Sequence, residues 1–278
     1  MLHREKFNAT NEPFRIDITT ANKIALRLKM SAESDFPCQE NVENVSELQE
    51  QLYNSVLNGG LDNALNLTDT LHRSGNIDVI NNIISRLLYN GTPNIMGYAY
   101  RLWLCNHQEL IYGNFPPAFK LIFNGDLVTI TNKEFGLPMK LQIGTDKDND
   151  RRVWCDGERN INNRMKWKFS TIWENNTLYC KIKNAQYNQF LKIALSRDDM
   201  GDREIFGAPY DDTHRHYWCL RPVMDEGNLL FYIINRQYGQ ALKLGRWQDS
   251  NNDRLVWGRS GSVVGLPVEF GWSIEQVV

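Results

Sequence analysis

Apolar residues recur at helical spacing in the first half of the chain. From about residue 40 they follow one another at steps of three, four, four and one: Val45, Leu48, Leu52, Val56 and Leu57. This spacing places them on one face of an α-helix. The pair Gly59-Gly60 supplies the stop signal.

Further segments with the same character follow this first helix. Two of them end at Gly75 and Gly91, and a third, NIMGYAYRLWLCN, carries Tyr100, Trp103 and Leu104. Pro116-Pro117 then interrupts the pattern. Helices joined by loops this short pack as antiparallel neighbours. The sequence therefore predicts an all-helical domain over residues 39–117, after a poorly patterned extension over residues 1–38.

Beyond Pro117 the apolar residues alternate in short runs, and a threefold repeat appears. ITNKEFGLPMKL from Ile130, IKNAQYNQFLKI from Ile182 and IINRQYGQALKL from Ile233 align without gaps. Each copy continues with an Asp-Arg pair, then an aromatic residue, and later a tryptophan. The first aromatic set is Trp154, Phe206 and Trp257, and the second is Trp167, Trp218 and Trp272.

A unit of about 50 residues with roughly four short strands, present three times, predicts twelve strands with threefold pseudosymmetry. The fold class is therefore α+β, with the all-helical domain followed by a C-terminal β-trefoil over residues 118–278. Its repeats lie near 121–171, 172–224 and 225–278. We expect Trp154, Phe206 and Trp257 to be buried equivalently. The Asp-Arg pairs are expected to shape hairpin turns, since Asp bonds its own backbone there.

Composition and charge narrow the range of partners. The chain has 278 residues, 42% of them hydrophobic, and a formal net charge of −2. This balance predicts no nucleic-acid partner. No run approaches the roughly 20 apolar residues of a membrane span. The first residues lack the apolar segment of a signal peptide, so either the protein stays in the cell or the precursor starts elsewhere.

The cysteines and glycosylation motifs say little about function or cellular compartment. The five cysteines are Cys38, Cys105, Cys155, Cys180 and Cys219. Their spacing matches no zinc motif, and we expect most of them to fill apolar space. Sequons at Asn8, Asn44, Asn66, Asn90 and Asn175 matter only if the protein is secreted. We expect a monomer.

Several stretches resemble the 30-kDa lipoproteins of moth and silkworm hemolymph, a family that includes the microvitellogenins. In the helical half they are LYNSVL from Leu52, YAYRLWL from Tyr98 and FPPAFKLIF from Phe115. In the trefoil they are IWENNTLYCKIKNAQYNQFLKI from Ile172, LLFYIINRQYGQALKLG from Leu229 and VWG from Val256. The resemblance runs from about Glu47 to the C-terminus.

This resemblance implies a function that composition and spacing do not show. Members of the family are secreted by fat body, accumulate in hemolymph and are taken up into eggs. They are described as storage proteins that associate with lipid and, through the trefoil, with sugars. The resemblance therefore implies an extracellular, non-enzymatic storage or carrier protein.

The residues themselves do not favour catalysis. The chain contains no G-x-S-x-G, H-E-x-x-H or P-loop motif. His214 and His216 would share one face if they lay in a strand, where they could hold a metal. We interpret them instead as part of a solvated loop after Asp211 and Asp212. The sequence thus predicts neither an enzyme, a metal site nor a cofactor.

Two ligand classes remain, each with candidate residues. Sugar recognition uses an aromatic face beside hydroxyl-binding side chains, and the candidates are Tyr187, Asp202, Tyr210, Asp211, Asn235 and Tyr238. The Q-x-W triplet of lectin trefoils is absent from the sequence. An apolar lipid pocket would lie in the helical domain or at its junction with the trefoil. Its candidates are Leu52, Val56, Ile84, Leu88, Tyr100 and Trp103.

Two alternative functions compete with a storage or carrier protein. One is a recognition module, either lectin-like or binding a small cytokine peptide. The other is a protease inhibitor, which ranks last because inhibitor trefoils do not normally carry an N-terminal helical domain. Lipid that purifies with the native protein would favour a carrier, and a bound peptide would favour recognition.

Overall fold

A computed structural model describes residues 45–105, 107–157 and 161–277. These residues belong to one compact unit. The extension predicted over residues 1–38 lies outside the described residues, as do Cys38 and the sequons at Asn8 and Asn44. The division at residue 117 stays a prediction.

Helices occupy the first part of the described chain. Their bounds are α1 Val45–Leu57, α2 Leu61–Arg73, α3 Ile77–Tyr89, α4 Ile95–Leu104, α5 Gln108–Asn114 and α6 Pro117–Asn124. The predicted glycine stops are confirmed, since Gly75 and Gly91 follow α2 and α3 with φ of 77° and 58°, the left-handed conformation that ends helices. Pro117 differs from its predicted role, because it begins α6 rather than ending the helical segment. Proline suits a first helical turn, where its missing N–H costs nothing.

Twelve antiparallel strands form the remainder. They are β1 Val128–Asn132, β2 Leu137–Leu141, β3 Arg151–Cys155, β4 Trp167–Glu174, β5 Thr177–Asn184, β6 Phe190–Ile193, β7 Arg203–Ala208, β8 Trp218–Asp225, β9 Asn228–Asn235, β10 Ala241–Gln248, β11 Arg254–Arg259 and β12 Trp272–Gln276. Each predicted repeat thus supplies four of these strands.

The pairing of the strands agrees with the predicted trefoil. β1, β4, β5, β8, β9 and β12 pair in a closed ring, with β12 returning to β1. The remaining strands form the hairpins β2–β3, β6–β7 and β10–β11, which also pair with one another through β3, β7 and β11. A six-stranded barrel capped by three hairpins is the β-trefoil.

The second tryptophan set forms equivalent parts of the barrel core. Trp167, Trp218 and Trp272 are fully buried. Each indole N–H donates a hydrogen bond to the carbonyl of a cap strand, at 2.9 Å to Met139, 3.0 Å to Leu191 and 3.3 Å to Leu242. The same apolar core continues into the helices. Its junction includes the rings of Phe119 and Phe231, whose centroids are 6.0 Å apart.

The first aromatic set is equivalent but is not buried, so that expectation was wrong. Trp154, Phe206 and Trp257 are all half-buried. The preceding residue of each copy is the fully buried one: Val153, Ile205 and Val256. Because successive side chains of a strand point to opposite faces, burial of the aliphatic residue turns the aromatic residue outward.

The Asp-Arg pairs do not make the hairpin turns, which also differs from expectation. Asp146, Asp198 and Asp249 do so, since their Oδ1 atoms accept hydrogen bonds from backbone N–H groups two and four residues onward. The arginines instead lie over rings of the next repeat: Arg151 over Tyr187 at 3.9 Å, Arg203 over Tyr238 at 3.8 Å and Arg254 over Phe135 at 4.1 Å. The pairs therefore join neighbouring repeats.

The paired aspartates join repeats in the same cyclic order. Asp150 lies 3.4 Å from the ammonium of Lys192, and Asp202 bonds the ammonium of Lys243. In the third interface, Lys140 lies 2.6 Å from Asp253 and 2.8 Å from Asp156. Lys140, Asp156 and Asp253 are all buried, so this interface holds a buried ionic cluster.

The four described cysteines, Cys105, Cys155, Cys180 and Cys219, are all free thiols. Cys155 and Cys180 are buried, as expected of apolar fillers, while Cys105 and Cys219 are half-buried. Burial raises the pKa of the Cys155 and Cys180 thiols well above the ordinary value. Both thiols are therefore protonated and unreactive at neutral pH.

Candidate functional site

Four of the six sugar-binding candidates hold the fold together. Tyr187 and Tyr238 each have an arginine over the ring, as described above. Asp202 is only 4% exposed, and besides Lys243 it accepts a hydrogen bond of 2.7 Å from the Ser260 backbone N–H. Their contacts leave these side chains little room for a ligand.

Asn235 is 1% exposed and serves the turn after β9. Its Oδ1 accepts hydrogen bonds from the backbone N–H groups of Gln237 and Tyr238, and its Nδ2 donates one of 2.9 Å to the Arg215 carbonyl. Asn184 does the same in the second repeat. The repeated asparagine is therefore a buried clamp on the backbone.

The other two candidates, Tyr210 and Asp211, are exposed and stand beside a surface cleft. This cleft has a volume of about 590 Å³ and is lined by Tyr179, Asp212, His214, Arg236 and Gln237. Tyr179 comes from β5, Asp212 and His214 come from the segment between β7 and β8, and the last two follow β9. We call it the tyrosine cleft.

Hydroxyl groups hold the carboxylate of the tyrosine cleft in place. The Tyr210 hydroxyl donates a hydrogen bond of 2.5 Å to Asp212 Oδ1, and the Tyr217 hydroxyl donates one of 3.2 Å to the same atom. These bonds, that of Tyr210 above all, lower the pKa of the exposed Asp212 carboxyl. Asp212 therefore stays ionised and acts as a positioned hydrogen-bond acceptor.

The opposite wall is built around Arg236. Its guanidinium donates two hydrogen bonds, of 2.5 and 2.9 Å, to the carboxylate of Glu174. The same group lies 4.4 Å from the ring centre of Tyr179 and 5.4 Å from that of Tyr217. A bidentate pair fixes an arginine in one orientation, so the guanidinium and both rings form a rigid surface.

Next to the cleft, His214 is exposed but His216 is fully buried, so the interpretation of both histidines as part of a solvated loop was wrong for His216. The His216 Nε2 atom lies 3.0 Å from Asp211 Oδ1, and its ring packs against Tyr210 and Phe190. Burial lowers the pKa of His216 to about 4, although Asp211 opposes the shift. The ring is therefore neutral at neutral pH. In the described part of the chain, no group of three His, Cys, Asp or Glu residues is arranged to hold a metal.

The lipid candidates divide between the core and the surface. Leu52, Val56, Ile84 and Leu88 are buried in the continuous apolar core. Trp103, in contrast, is half-buried on the outer face of α4. A cleft of about 820 Å³ beside α1 is lined instead by polar residues such as Glu50.

Trp103 belongs to a cluster of surface rings. Its ring centre lies 5.9 Å from those of Tyr112 and Phe123, and Tyr100 lies 5.5 Å from Phe123 and 6.1 Å from Trp173. Tyr112 is 51% exposed. We call Tyr100, Trp103, Tyr112 and Phe123 the aromatic patch.

Comparison with known proteins assigns the chain to a family. The profile described as "Lepidopteran low molecular weight (30 kD) lipoprotein" matches residues 46–276. The chain belongs to this lipoprotein family. The predicted resemblance is thereby confirmed.

Individual relatives of the lipoprotein agree with this assignment. A low molecular mass lipoprotein of Bombyx mori, PBMHPC-23, is 37% identical over 230 residues, covering 82% of this chain and 87% of the relative. The microvitellogenin of Manduca sexta is 37% identical over 225 residues, covering 81% and 90%. Among solved structures, an SDF2-like protein of Arabidopsis thaliana has a TM-score of 0.44 at 10% identity over 54% of this chain and 92% of its own, too low a similarity to inform function.

Sequence reasoning missed most of the tyrosine cleft. Tyr179, Arg236 and Gln237 were not candidates, although a signal was present. Five residues before the repeated asparagine, the other copies have Leu127 and Leu230 where the second has Tyr179. Such departures from the repeat are where a site peculiar to one copy would be sought.

No helix within the described ranges has both the length and the apolar character needed to cross a bilayer.

Proposed function

We propose that this lipoprotein is a non-enzymatic, extracellular storage or carrier protein that binds carbohydrate in the tyrosine cleft and lipid at the aromatic patch. Its family supports a storage role, since the relatives are named lipoproteins and microvitellogenin. The runner-up is a recognition module, whose ligand would be a glycan or a small peptide and not a stored lipid.

The tyrosine cleft carries the carbohydrate part of the proposal. Pyranose rings stack their C–H faces on aromatic rings, while their adjacent hydroxyls need charged or amide groups. The cleft offers Tyr179 as a ring, Asp212 as an ionised acceptor and the Gln237 amide as a donor and acceptor. A cleft bounded by rigid groups loses little entropy on binding.

The ionised state of Asp212 favours a binding role for this residue over proton transfer. A general acid or base works best with a pKa near the operating pH. The pKa of Asp212 is shifted below its ordinary value, away from neutrality. The neighbouring His216 imidazole is buried against Tyr210 and Phe190, so it does not reach a ligand in the cleft.

The test of carbohydrate binding is the variant Asp212→Asn. We expect it to weaken binding of neutral oligosaccharides about tenfold, because a hydrogen bond to a charged acceptor contributes about 1–2 kcal/mol more than one to a neutral amide. Binding is measured by titration calorimetry after a glycan-array screen. The matched control is Asp148→Asn, an exposed aspartate on another hairpin, and it should bind as the native protein does. Equal binding by both variants would remove the cleft from the proposal.

The lipid part rests on the aromatic patch. Tryptophan and tyrosine are amphipathic rings that favour the boundary between apolar chains and water. The four rings contact one another in a row, from Tyr100 through Phe123 and Trp103 to Tyr112, and form a continuous apolar area. Nearby, the Lys120 ammonium lies 4.7 Å from the Tyr112 ring centre and can pair with an acidic headgroup.

Expression of the complete gene in insect cells tests lipid and compartment together. The native protein should appear in the medium with bound lipid, detected by mass spectrometry, and Trp103→Ala should carry several-fold less. Trp247→Ala is the matched control, since Trp247 is 91% exposed and lies on β10. Glycan on the exposed Asn66, Asn90 or Asn175 would mark passage through the secretory route. Retention in the cells contradicts the extracellular assignment, and equal lipid in both variants contradicts the patch.

A further inference from the structure

Two lysines face each other on the outer surface of the β4–β5 hairpin. Lys168 and Lys183 are directly opposite in the strand register, and Lys181 stands opposite Ser170 in the next outward pair. Like charges directly opposite in an antiparallel pair destabilise it. We call Lys168, Lys181 and Lys183 the lysine patch.

The threefold repeat allows the lysine pair to be compared with the residues at the same position in the other two strand pairs of the barrel. In the β8–β9 hairpin the position of the lysine pair holds Cys219 and Ile234. Between β1 and β12 it holds Thr131 and Ser273. The fold therefore does not require charge there, and of the three equivalent positions only that of the β4–β5 hairpin holds two lysines.

The acidic groups nearby have other partners, and Asp212 accepts hydrogen bonds from the hydroxyls of Tyr210 and Tyr217. Asp150 and Asp211 face Lys192, at 3.4 and 3.5 Å, and Glu174 pairs with Arg236. Across residues 45–105, 107–157 and 161–277, the three ammonium groups of the lysine patch form no ion pair within 4 Å. Their positive charge is therefore available to an external anion.

The lysine patch continues into the tyrosine cleft. The Lys181 ammonium lies 4.4 Å from the ring centre of Tyr210, and Lys183 lies 5.5 Å from that of Phe190. Tyr210 in turn bonds Asp212 of the cleft. Burial lowers the pKa of Lys181, and the negative charge of Asp212 partly opposes this shift.

We propose that the lysine patch binds the sulfate or carboxylate groups of an acidic polysaccharide, one ring of which occupies the tyrosine cleft. This inference rests on the proposed carbohydrate function and adds the class of glycan. A polysaccharide fits better than an anionic membrane because the lysines adjoin a polar cleft lined by a carboxylate and an amide. Asp212 would repel a flat anionic surface, whereas a chain can present a hydroxyl there and its anion to the lysines.

The experiment compares dextran sulfate with unsulfated dextran of the same length, by titration calorimetry at near-physiological salt. The native protein should bind the sulfated chain more tightly, and rising salt should weaken that preference. Lys168→Gln/Lys183→Gln should lose at least about tenfold in affinity for dextran sulfate and keep its affinity for dextran. The control Lys133→Gln/Lys147→Gln removes two exposed lysines elsewhere and should stay within about twofold.

Protein stability provides a second readout that does not depend on the ligand. Removing two like charges that face each other should leave the melting temperature of Lys168→Gln/Lys183→Gln equal to or above that of the native protein. A clear decrease would mean that the lysines serve the fold, which overturns the inference.

The remaining outcomes separate this inference from the proposed function. If dextran sulfate binds no better than dextran, or both double variants lose equally, the lysine patch is overturned while the cleft stands. If Asp212→Asn leaves both ligands unaffected, the carbohydrate cleft fails and this inference fails with it. Phosphatidylserine vesicles form the last arm: lysine-dependent binding to vesicles without binding to dextran sulfate would assign the patch to a membrane surface instead.

Discussion

Replacing Trp218 by alanine should lower the free energy of unfolding by about 3–5 kcal/mol, the range for losing a large aromatic side chain from a packed core. Trp218 is fully buried, and its indole N–H donates to the Leu191 carbonyl at 3.0 Å. The substitution leaves a cavity and a carbonyl without its donor. Denaturant unfolding followed by circular dichroism measures the loss.

The threefold symmetry extends this prediction to the two equivalent tryptophans. Trp167→Ala and Trp272→Ala should cost similar amounts, because both side chains are buried and bonded in the same way. Trp257→Ala should cost less, since Trp257 is half-buried, and Trp247→Ala should lie within about 0.5 kcal/mol of native. If Trp257→Ala cost as much as Trp218→Ala, it would contradict the conclusion that the Trp218 set faces the core and the Trp257 set faces outward.

The trefoil was predictable because the same weak pattern occurs three times at the same spacing. A single Asn followed by an aromatic residue means little, but three copies in register at Asn132, Asn184 and Asn235 require a shared structural cause. The structure supplies that cause for the last two, whose amides bond the backbone of the following turn and of the preceding loop. The helical segments were predictable for a different reason, since glycine stops and the apolar spacing agree locally.

The contacts between repeats were not predictable from the same pattern. In one repeat, Arg151 follows an aspartate near a turn, which suggests a local role. Its ring partner, Tyr187, is 36 residues onward in the next repeat. Only the closed threefold arrangement brings the two together. Strand alternation, in contrast, could have shown that Val153 and Trp154 cannot both face the core.

The candidate site could not be predicted either, because it also depends on contacts between distant parts of the chain. Tyr179, Asp212 and Arg236 come from three separate segments that meet only in the folded barrel. Asp202 and Asn235 were chosen for residue types that bind hydroxyl groups, but their polar atoms serve the fold. Residue type therefore suggests a chemistry, whereas the cleft depends on which polar atoms the fold leaves at the surface.

The second large effect is expected at the interface between the first and third repeats. Lys140→Met should cost about 3–5 kcal/mol of stability, the range for breaking a buried ion pair by removing one partner. The Lys140 ammonium lies 2.8 Å from Asp156 and 2.6 Å from Asp253, and all three side chains are buried. Methionine is likewise unbranched and only one heavy atom shorter than lysine, so the loss reports mainly the charge and not a cavity. Thermal and denaturant unfolding measure it.

Two comparisons decide whether the buried charge is the cause. Lys133→Met is the matched control: Lys133 pairs with Asp225 at 3.0 Å, but its side chain is 37% exposed, and such pairs contribute about 0–1 kcal/mol. Lys140→Met/Asp253→Asn removes one of the two carboxylates left in the interior, so it should be more stable than Lys140→Met alone. If the second substitution instead adds its own full cost, Lys140 stabilises the interface through packing, and the repeats do not depend on this ionic cluster.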